Sequence, residues 1–377
     1  MKYLVVLWSV LVVALTVALV AGACVPAVTP PAAGPPPPTP VVALATARTP
    51  SPEAAAWEKV VEAAKKEGIV TIYSSAFVTD IGSRIARNFK DQYGITVQIL
   101  AGSSPVLNEK IYVEKAIKQQ VVDVSNSGGQ GSIVELTKRG LAEPLAHLLP
   151  AVKDKEAFKV DPVYSPGGEI LAWAPSYQGV TINTNLVKPY NESQFLNELL
   201  DPRWKGQILS PDPRGGGSSG DSFFYTPRFH KALDLDFYRR LAQQNLVFWK
   251  ANPREAVNMV ARGEYPIYLE GTDVQVSVLI AAGAPIKIST FNEGIIVTPG
   301  TIVVLKGAPH PNAAKVFVNW LMSPQGQIAY VESALATSMR KDVPDFTTPG
   351  ARVSPKKLWP TTWESEAWLT EDRATGT

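Results

Sequence analysis

The chain has 377 residues, with 36 Lys and Arg against 34 Asp and Glu, a net charge of +2. That balance, without a long basic run, argues against nucleic acid as a partner. One cysteine excludes an intramolecular disulfide, so the folded part must rest on an apolar core, which 45% hydrophobic residues can supply.

Residues 4–23 are almost wholly apolar, with Lys2 before them and Ala21-Gly22-Ala23-Cys24 behind. A positive start, an apolar core and small residues at a cleavage point form an export signal, expected over 1–23. Cys24 stands where a bacterial lipoprotein signal places its acylated cysteine, although Ala21 occupies the position where leucine is usual. Lipid attachment at Cys24 is the reading preferred. Retention of the stretch as an uncleaved anchor stays open, because its length is close to the roughly 20 residues that a span needs. On either reading the protein is exported and held at the outer face of the cell membrane or in the periplasm.

Pro26 to Pro52 includes Pro35-Pro36-Pro37-Pro38 and carries no charge before Arg48. Such a stretch buries too little to order itself and favours extended polyproline conformation. Residues 24–56 are therefore expected to be a tether; a ligand for proline-binding modules is the other reading. About 320 residues follow, more than one core usually serves, which predicts two lobes.

Trp57, Val60, Val61 and Ala64 recur at helical spacing, and Gly68 closes that helix. Ile69 to Tyr73 reads as a buried strand ending in Ser74-Ser75. Ile81, Ile85 and Phe89 mark a second helix before Gly94. Ile95 to Leu100 is a second strand, ending in Gly102-Ser103-Ser104. Val121 to Val124 is a third, ending in Ser125-Asn126-Ser127-Gly128 ahead of a helix through Ile133 and Leu136 to Gly140. Strands alternating with helices predict a parallel α/β sheet. Ligands of such sheets bind beyond the carboxyl ends of strands, so the serine-bearing tips suggest a polar or anionic ligand. Each serine taken singly can instead serve as a helix N-cap.

A wider pattern resembles a known family. Trp57-Glu58-Lys59, Ala64-Lys65-Lys66-Glu67-Gly68 and Ile72-Tyr73-Ser74-Ser75 resemble the start of periplasmic solute-binding proteins of the ferric-iron type, receptors of ATP-binding-cassette importers. The resemblance continues at Asp123-Val124, at Gly140-Leu141-Ala142-Glu143-Pro144, at Gly179-Val180-Thr181-Ile182-Asn183-Thr184-Asn185 and at Leu200-Asp201-Pro202-Arg203-Trp204-Lys205-Gly206. Asp212-Pro213-Arg214, Gly307-Ala308-Pro309-His310-Pro311-Asn312-Ala313-Ala314 and Ser323-Pro324-Gln325-Gly326-Gln327 complete it, over about 57–345. It implies the type II periplasmic-binding-protein fold, two α/β lobes with a ligand cleft between them. Chain order then assigns 57–178 and 270–304 to lobe I, and 179–269 and 305–377 to lobe II. Val316, Phe317, Trp320 and Leu321 share a helical face, and Ser323-Pro324 starts another helix.

The resemblance also implies adjacent iron-chelating tyrosines after the strand Pro266 to Leu269, where this chain has Glu270-Gly271-Thr272-Asp273-Val274-Gln275. Nor is there a histidine or tyrosine just after the first strand. His147, His230 and His310 are isolated from one another, and His310 between two prolines reads as a surface turn residue. Tyr177, Glu270 and Asp273 could offer hard oxygen ligands, so ferric-iron binding remains the alternative function, while no metal site is assigned.

Gly215-Gly216-Gly217-Ser218-Ser219-Gly220 contains both a dinucleotide-fingerprint spacing and a nucleophile-elbow spacing, neither in the required context. Arg214, Ser218 and Ser219 are instead candidates for holding an anionic group, since a guanidinium pairs well with carboxylate or phosphate. Tyr177 and Gln178 fall where the chain first crosses between lobes, and an aromatic there can stack on a ligand or pack the hinge. Trp359, Trp363 and Trp368 are expected to pack against lobe II. The function expected is a monomeric, cofactor-free receptor that captures a small polar, anionic solute and docks on a membrane permease. A solute sensor and a secreted enzyme are the weaker alternatives. The expected site is Ser74, Ser75, Ser103, Ser104, Ser127, Tyr177, Arg214, Ser218, Ser219, Glu270 and Asp273.

Overall fold

The computed structural model describes residues 51–127, 130–159, 164–188, 195–212, 222–249, 253–289, 294–352 and 358–360. Cys24, Arg214, Ser218, Ser219, Trp363 and Trp368 lie outside them, and the side chain of Trp359 is likewise not described.

In chain order, α1 (Pro52–Glu67), β1 (Ile69–Ser74), α2 (Thr79–Tyr93), β2 (Thr96–Ala101), α3 (Ser104–Ala116), β3 (Val124–Asn126) and α4 (Gln130–Lys138) come first. Next are β4 (Leu171–Gln178), β5 (Val180–Asn183), α5 (Phe195–Glu198), β6 (Ile208–Pro211), α6 (Ser222–Phe229), α7 (Leu235–Ala242), β7 (Val247–Trp249), α8 (Pro253–Ala261) and β8 (Ile267–Tyr268). They are followed by α9 (Asp273–Ala281), β9 (Ile286–Ser289), β10 (Ile295–Val304), α10 (Pro311–Met322), α11 (Pro324–Ala334) and β11 (Leu358–Pro360).

The first helix starts at Pro52 rather than Trp57, inside the stretch 24–56 expected to be a tether. The Ser51 hydroxyl accepts from Ala54 N at 3.2 Å and Pro52 occupies the first turn, a strong local start signal. Gly68, Gly94 and Gly140 end their helices with φ of 70°, 74° and 70°, as the spacing predicts. β3 is shorter and later than expected. Val121 is exposed, and the Asp123 side chain is diverted to accept from Thr71 N at 2.8 Å and His310 N at 2.7 Å.

Two sheets organise the molecule. One runs β11-β10-β3-β1-β2 with β4 also paired to β10; the other runs β7-β6-β8-β5-β9. β1 is parallel to β2 and β3, whereas β10 is antiparallel to both β3 and β4. β1, β3 and β4 therefore point the same way. Since β4 continues through Gly179 into β5 of the other sheet, the carboxyl ends of β1 and β3 point toward the second lobe.

The division of the chain differs from the one expected. α10 packs on α1 and α11 on α2, so these helices belong to the first lobe and not the second. Phe317 and Trp320 of α10 stand 5.2 and 5.3 Å from the Phe89 ring of α2, within one buried core. Rings buried this way each contribute roughly 1.5–3 kcal/mol, and edge contacts add to that. The Glu67 carboxylate at the end of α1 accepts from Asn312 N and Ala313 N at 3.2 and 2.7 Å, capping α10. Conversely, α9 and β9 pack with β5, α8 and Ala351 in the second lobe, so within 270–304 it is β10 that joins the first sheet. A helix follows whichever lobe offers its apolar face a partner, and chain order does not encode that.

Candidate functional site

Parallel strand ends leave backbone N–H groups and short side chains at one edge of a sheet, and here that edge faces the second lobe. At its centre, Ser74 of β1 and Asn126 of β3 are register partners. The Ser74 hydroxyl is buried and accepts from Ala76 N at 3.1 Å and Phe77 N at 2.7 Å, shaping the turn after β1. Ser75 is half-buried, and its hydroxyl donates to the Asn126 carbonyl at 3.4 Å, tying the two tips together.

Ser127 is fully buried; its hydroxyl donates to Asn108 Oδ1 at 2.8 Å and lies 2.8 Å from Ser125 Oγ. Ser103, exposed at the start of α3, makes no side-chain cap bond, and Ser104 is half-buried in the first turn. Gly102 N donates to the Ser74 carbonyl at 3.1 Å, which sets this tip beside the first. Ser74, Ser75, Ser103, Ser104 and Ser127 thus gather along one edge, though Ser74 and Ser127 are occupied with local structure.

Asn126 is the residue that sequence reasoning passed over. It is 2% exposed, and neither Nδ2 nor Oδ1 has a hydrogen-bond partner among the described residues. Its position in the run Ser125-Asn126-Ser127 was visible, but strand register was needed to separate its role from its neighbours'.

The remaining candidates sit at the crossing between the sheets. Tyr177 is half-buried; its backbone N–H donates to Asp273 Oδ1 at 3.2 Å, and burial pushes its phenol up to about 12, helped by the Asp273 charge. Asp273 opens α9 under a capping box formed by Thr272 and Gln275. Complete burial raises its carboxyl to about 7, against the lowering effect of the backbone N–H groups of Tyr177 and Val274. Burial also raises the neighbouring Tyr330 phenol, with the Asp273 charge contributing. Glu270, 3% exposed, accepts from the Tyr268 hydroxyl at 2.9 Å, and its carbonyl accepts from Thr181 Oγ1 at 2.9 Å. Glu270, Asp273 and Tyr177 therefore engage the crossing strands themselves.

His310 is a correction. Its Nδ1 lies 2.9 Å from Asp123 Oδ2, so it clamps the start of α10 to β3 instead of standing free in a surface turn. Among the described residues no group of three His, Cys, Asp or Glu is placed to hold a metal ion, and no helix is long and apolar enough to cross a membrane.

Two lobes joined by a crossing strand, with strand ends facing across, form the frame of a receptor for a small ligand. Residues 51–328 match the bacterial extracellular solute-binding proteins, and the chain belongs to that family. It acts as the substrate-binding component of an ATP-binding-cassette importer. Its fold is shared with the periplasmic binding protein AfuA of Actinobacillus pleuropneumoniae, seen with fructose-6-phosphate. The two are 24% identical with a TM-score of 0.65, covering 82% of this chain and 96% of that one. Iron-bound HitA from Pseudomonas aeruginosa is 21% identical with a TM-score of 0.63, covering 82% and 99%. An uncharacterized protein of Haemophilus influenzae is 25% identical over 270 residues, 70% of this chain and 75% of its own length.

Proposed function

We propose that the solute is a small organic anion, held between the strand tips of the first lobe and the glycine-rich segment after β6 in the second. The observation that carries this reading is the first-lobe edge, where Ser75 and Asn126 meet facing the other lobe and offer neutral hydrogen-bonding groups. Arg214, with Ser218 and Ser219, follows β6 in sequence and supplies the charge. A chelated ferric ion is disfavoured because the segment after β8 carries Glu270 and no tyrosine pair, and Tyr268 is committed to Glu270. The relatives accommodate either chemistry on this fold, fructose-6-phosphate in AfuA and iron in HitA.

The mature chain starts at a lipidated Cys24, which tethers a monomeric receptor outside the cell and presents it to the permease; no catalytic role is assigned. Losing a desolvated, charged hydrogen bond costs about 1.5–3 kcal/mol. Arg214→Ala should therefore weaken binding roughly 10- to 150-fold by calorimetry, using the solute that native mass spectrometry identifies on the purified protein. Unchanged affinity would place the charge elsewhere, and a visible absorption band bleached by citrate would return the function to iron.

A further inference from the structure

Asn126 presents a problem that the other described residues do not solve. A primary carboxamide carries two N–H donors and one carbonyl acceptor. Burying it without partners costs about the desolvation of both groups, and native structures seldom leave such a group unpaired without a reason. Here the residue is 2% exposed and both ends are unpaired among the described residues. Its flanks are immobilised: Ser125 and Ser127 are linked to each other and to Asn108 on one face of the sheet. Strand alternation turns Asn126 to the opposite face, which it shares with its register partner Ser74. The position is the carboxyl end of β3, on the edge that faces the second lobe.

We propose that the Asn126 carboxamide is a solute-recognition group, which donates from Nδ2 to one oxygen of the solute and accepts a solute hydroxyl at Oδ1. The donor–acceptor pair selects among ligand classes. A bare metal ion would engage Oδ1 and leave Nδ2 stranded. An inorganic anion would engage Nδ2, and it can offer Oδ1 a donor only through a protonated oxygen, at the expense of its own charge. A hydroxyl-bearing carbon skeleton satisfies both ends, because each alcohol both donates and accepts. Together with the anionic character proposed above, on which this inference rests, the solute is a hydroxylated organic anion. Asn126 reads its hydroxyls, and the second lobe holds its charge.

The test uses the whole exported protein and three probes: fructose 6-phosphate, inorganic phosphate and ferric citrate. Asn126→Leu removes the polar groups at similar volume, and Asn126→Asp keeps an acceptor while losing the donors. Wild-type protein should bind fructose 6-phosphate in titration calorimetry more tightly than inorganic phosphate or ferric citrate, and both variants should lose at least about 10-fold in affinity. The ligand-free Asn126→Leu protein should melt at the wild-type temperature or above it, since no hydrogen bond is lost. A melting temperature lowered by several degrees would show that the amide is satisfied inside the protein, for instance by a buried water, and would overturn the assignment. Undiminished binding of fructose 6-phosphate by both variants would overturn it too, while leaving the organic-anion reading intact. Preference of the wild type for inorganic phosphate, or for the iron of ferric citrate with the citrate left behind, would overturn the hydroxyl class. Binding of none of the three by the wild type would bring down the organic-anion reading, and the inference with it.

Discussion

Asp273 Oδ1 accepts a hydrogen bond from the Tyr177 backbone N–H at 3.2 Å, so a buried carboxyl at the start of α9 is fastened to the end of β4. This bond joins the crossing from β4 into β5 to the helix that follows β8 in the second lobe. Complete burial, offset only in part by backbone N–H groups and the Thr337 hydroxyl, is why the group holds its proton so strongly.

The pH dependence follows from that burial. In the folded protein Asp273 titrates at about 7, whereas an unfolded chain releases the proton near the ordinary aspartate value of 3.8. Between these limits the native state binds more protons, so this group's contribution to stability is complete at low pH and is lost as pH rises toward 7. The loss amounts to about 4 kcal/mol, because each tenfold difference in proton affinity between folded and unfolded chains is worth about 1.4 kcal/mol. Asp273→Asn, which stays neutral, should show a flatter profile. Urea denaturation across pH 4–8 should find the variant gaining on the wild type as pH rises; parallel profiles would refute the role of Asp273.

Gly179, in the crossing from β4 into β5, meets Gly271 just after β8, the Gly179 N–H donating to the Gly271 carbonyl at 3.1 Å. A Cβ on Gly179 would lie 2.8 Å from the Ser289 carbonyl oxygen, and one on Gly271 would collide with Thr181 Oγ1. Alanine at either position should reduce unfolding free energy by about 1–3 kcal/mol, since the Ser289 carbonyl cannot yield without shifting β9, and Thr181 can turn away only by giving up its bond to the Glu270 carbonyl. Thermal unfolding of each variant measures the effect, and wild-type stability in both would mean that this junction is looser than its geometry implies.

For membrane attachment, the mature protein expressed in a bacterial host should partition into detergent. Cys24→Ser should release it or leave the precursor uncut. Partitioning of a chain that still begins at Met1 would identify an uncleaved anchor.

Much of the fold was legible because its signals are local. The faces of α1, α2 and α10 lie in the apolar periodicity, and their glycine stops adopt the left-handed φ that glycine favours. Ser323 caps α11 by accepting from Gly326 N at 3.3 Å, as the serine–proline pair predicts. Several runs that carry the family resemblance prove to be structural. Asp201 accepts from Arg203 N at 2.9 Å to form a tight turn closed by Gly206 at φ 73°, and Asn312 and Ala313 dock on Glu67. Such runs identify the family because they fix its turns and helix starts, which is also why they say little about the solute.

The sequence by itself determined the α/β alternation, the serine-bearing strand tips, the two-lobe family and the departure from a tyrosine pair. Each of these is carried by spacing, turn chemistry or residue type within a few positions. Tertiary structure alone decided that 311–334 pack in the first lobe, that Asp123 engages His310 from 187 residues away, and that Asn126 is buried without partners beside Ser74. Those outcomes depend on which distant groups compete for the same buried space and hydrogen bonds, and no local pattern records that competition.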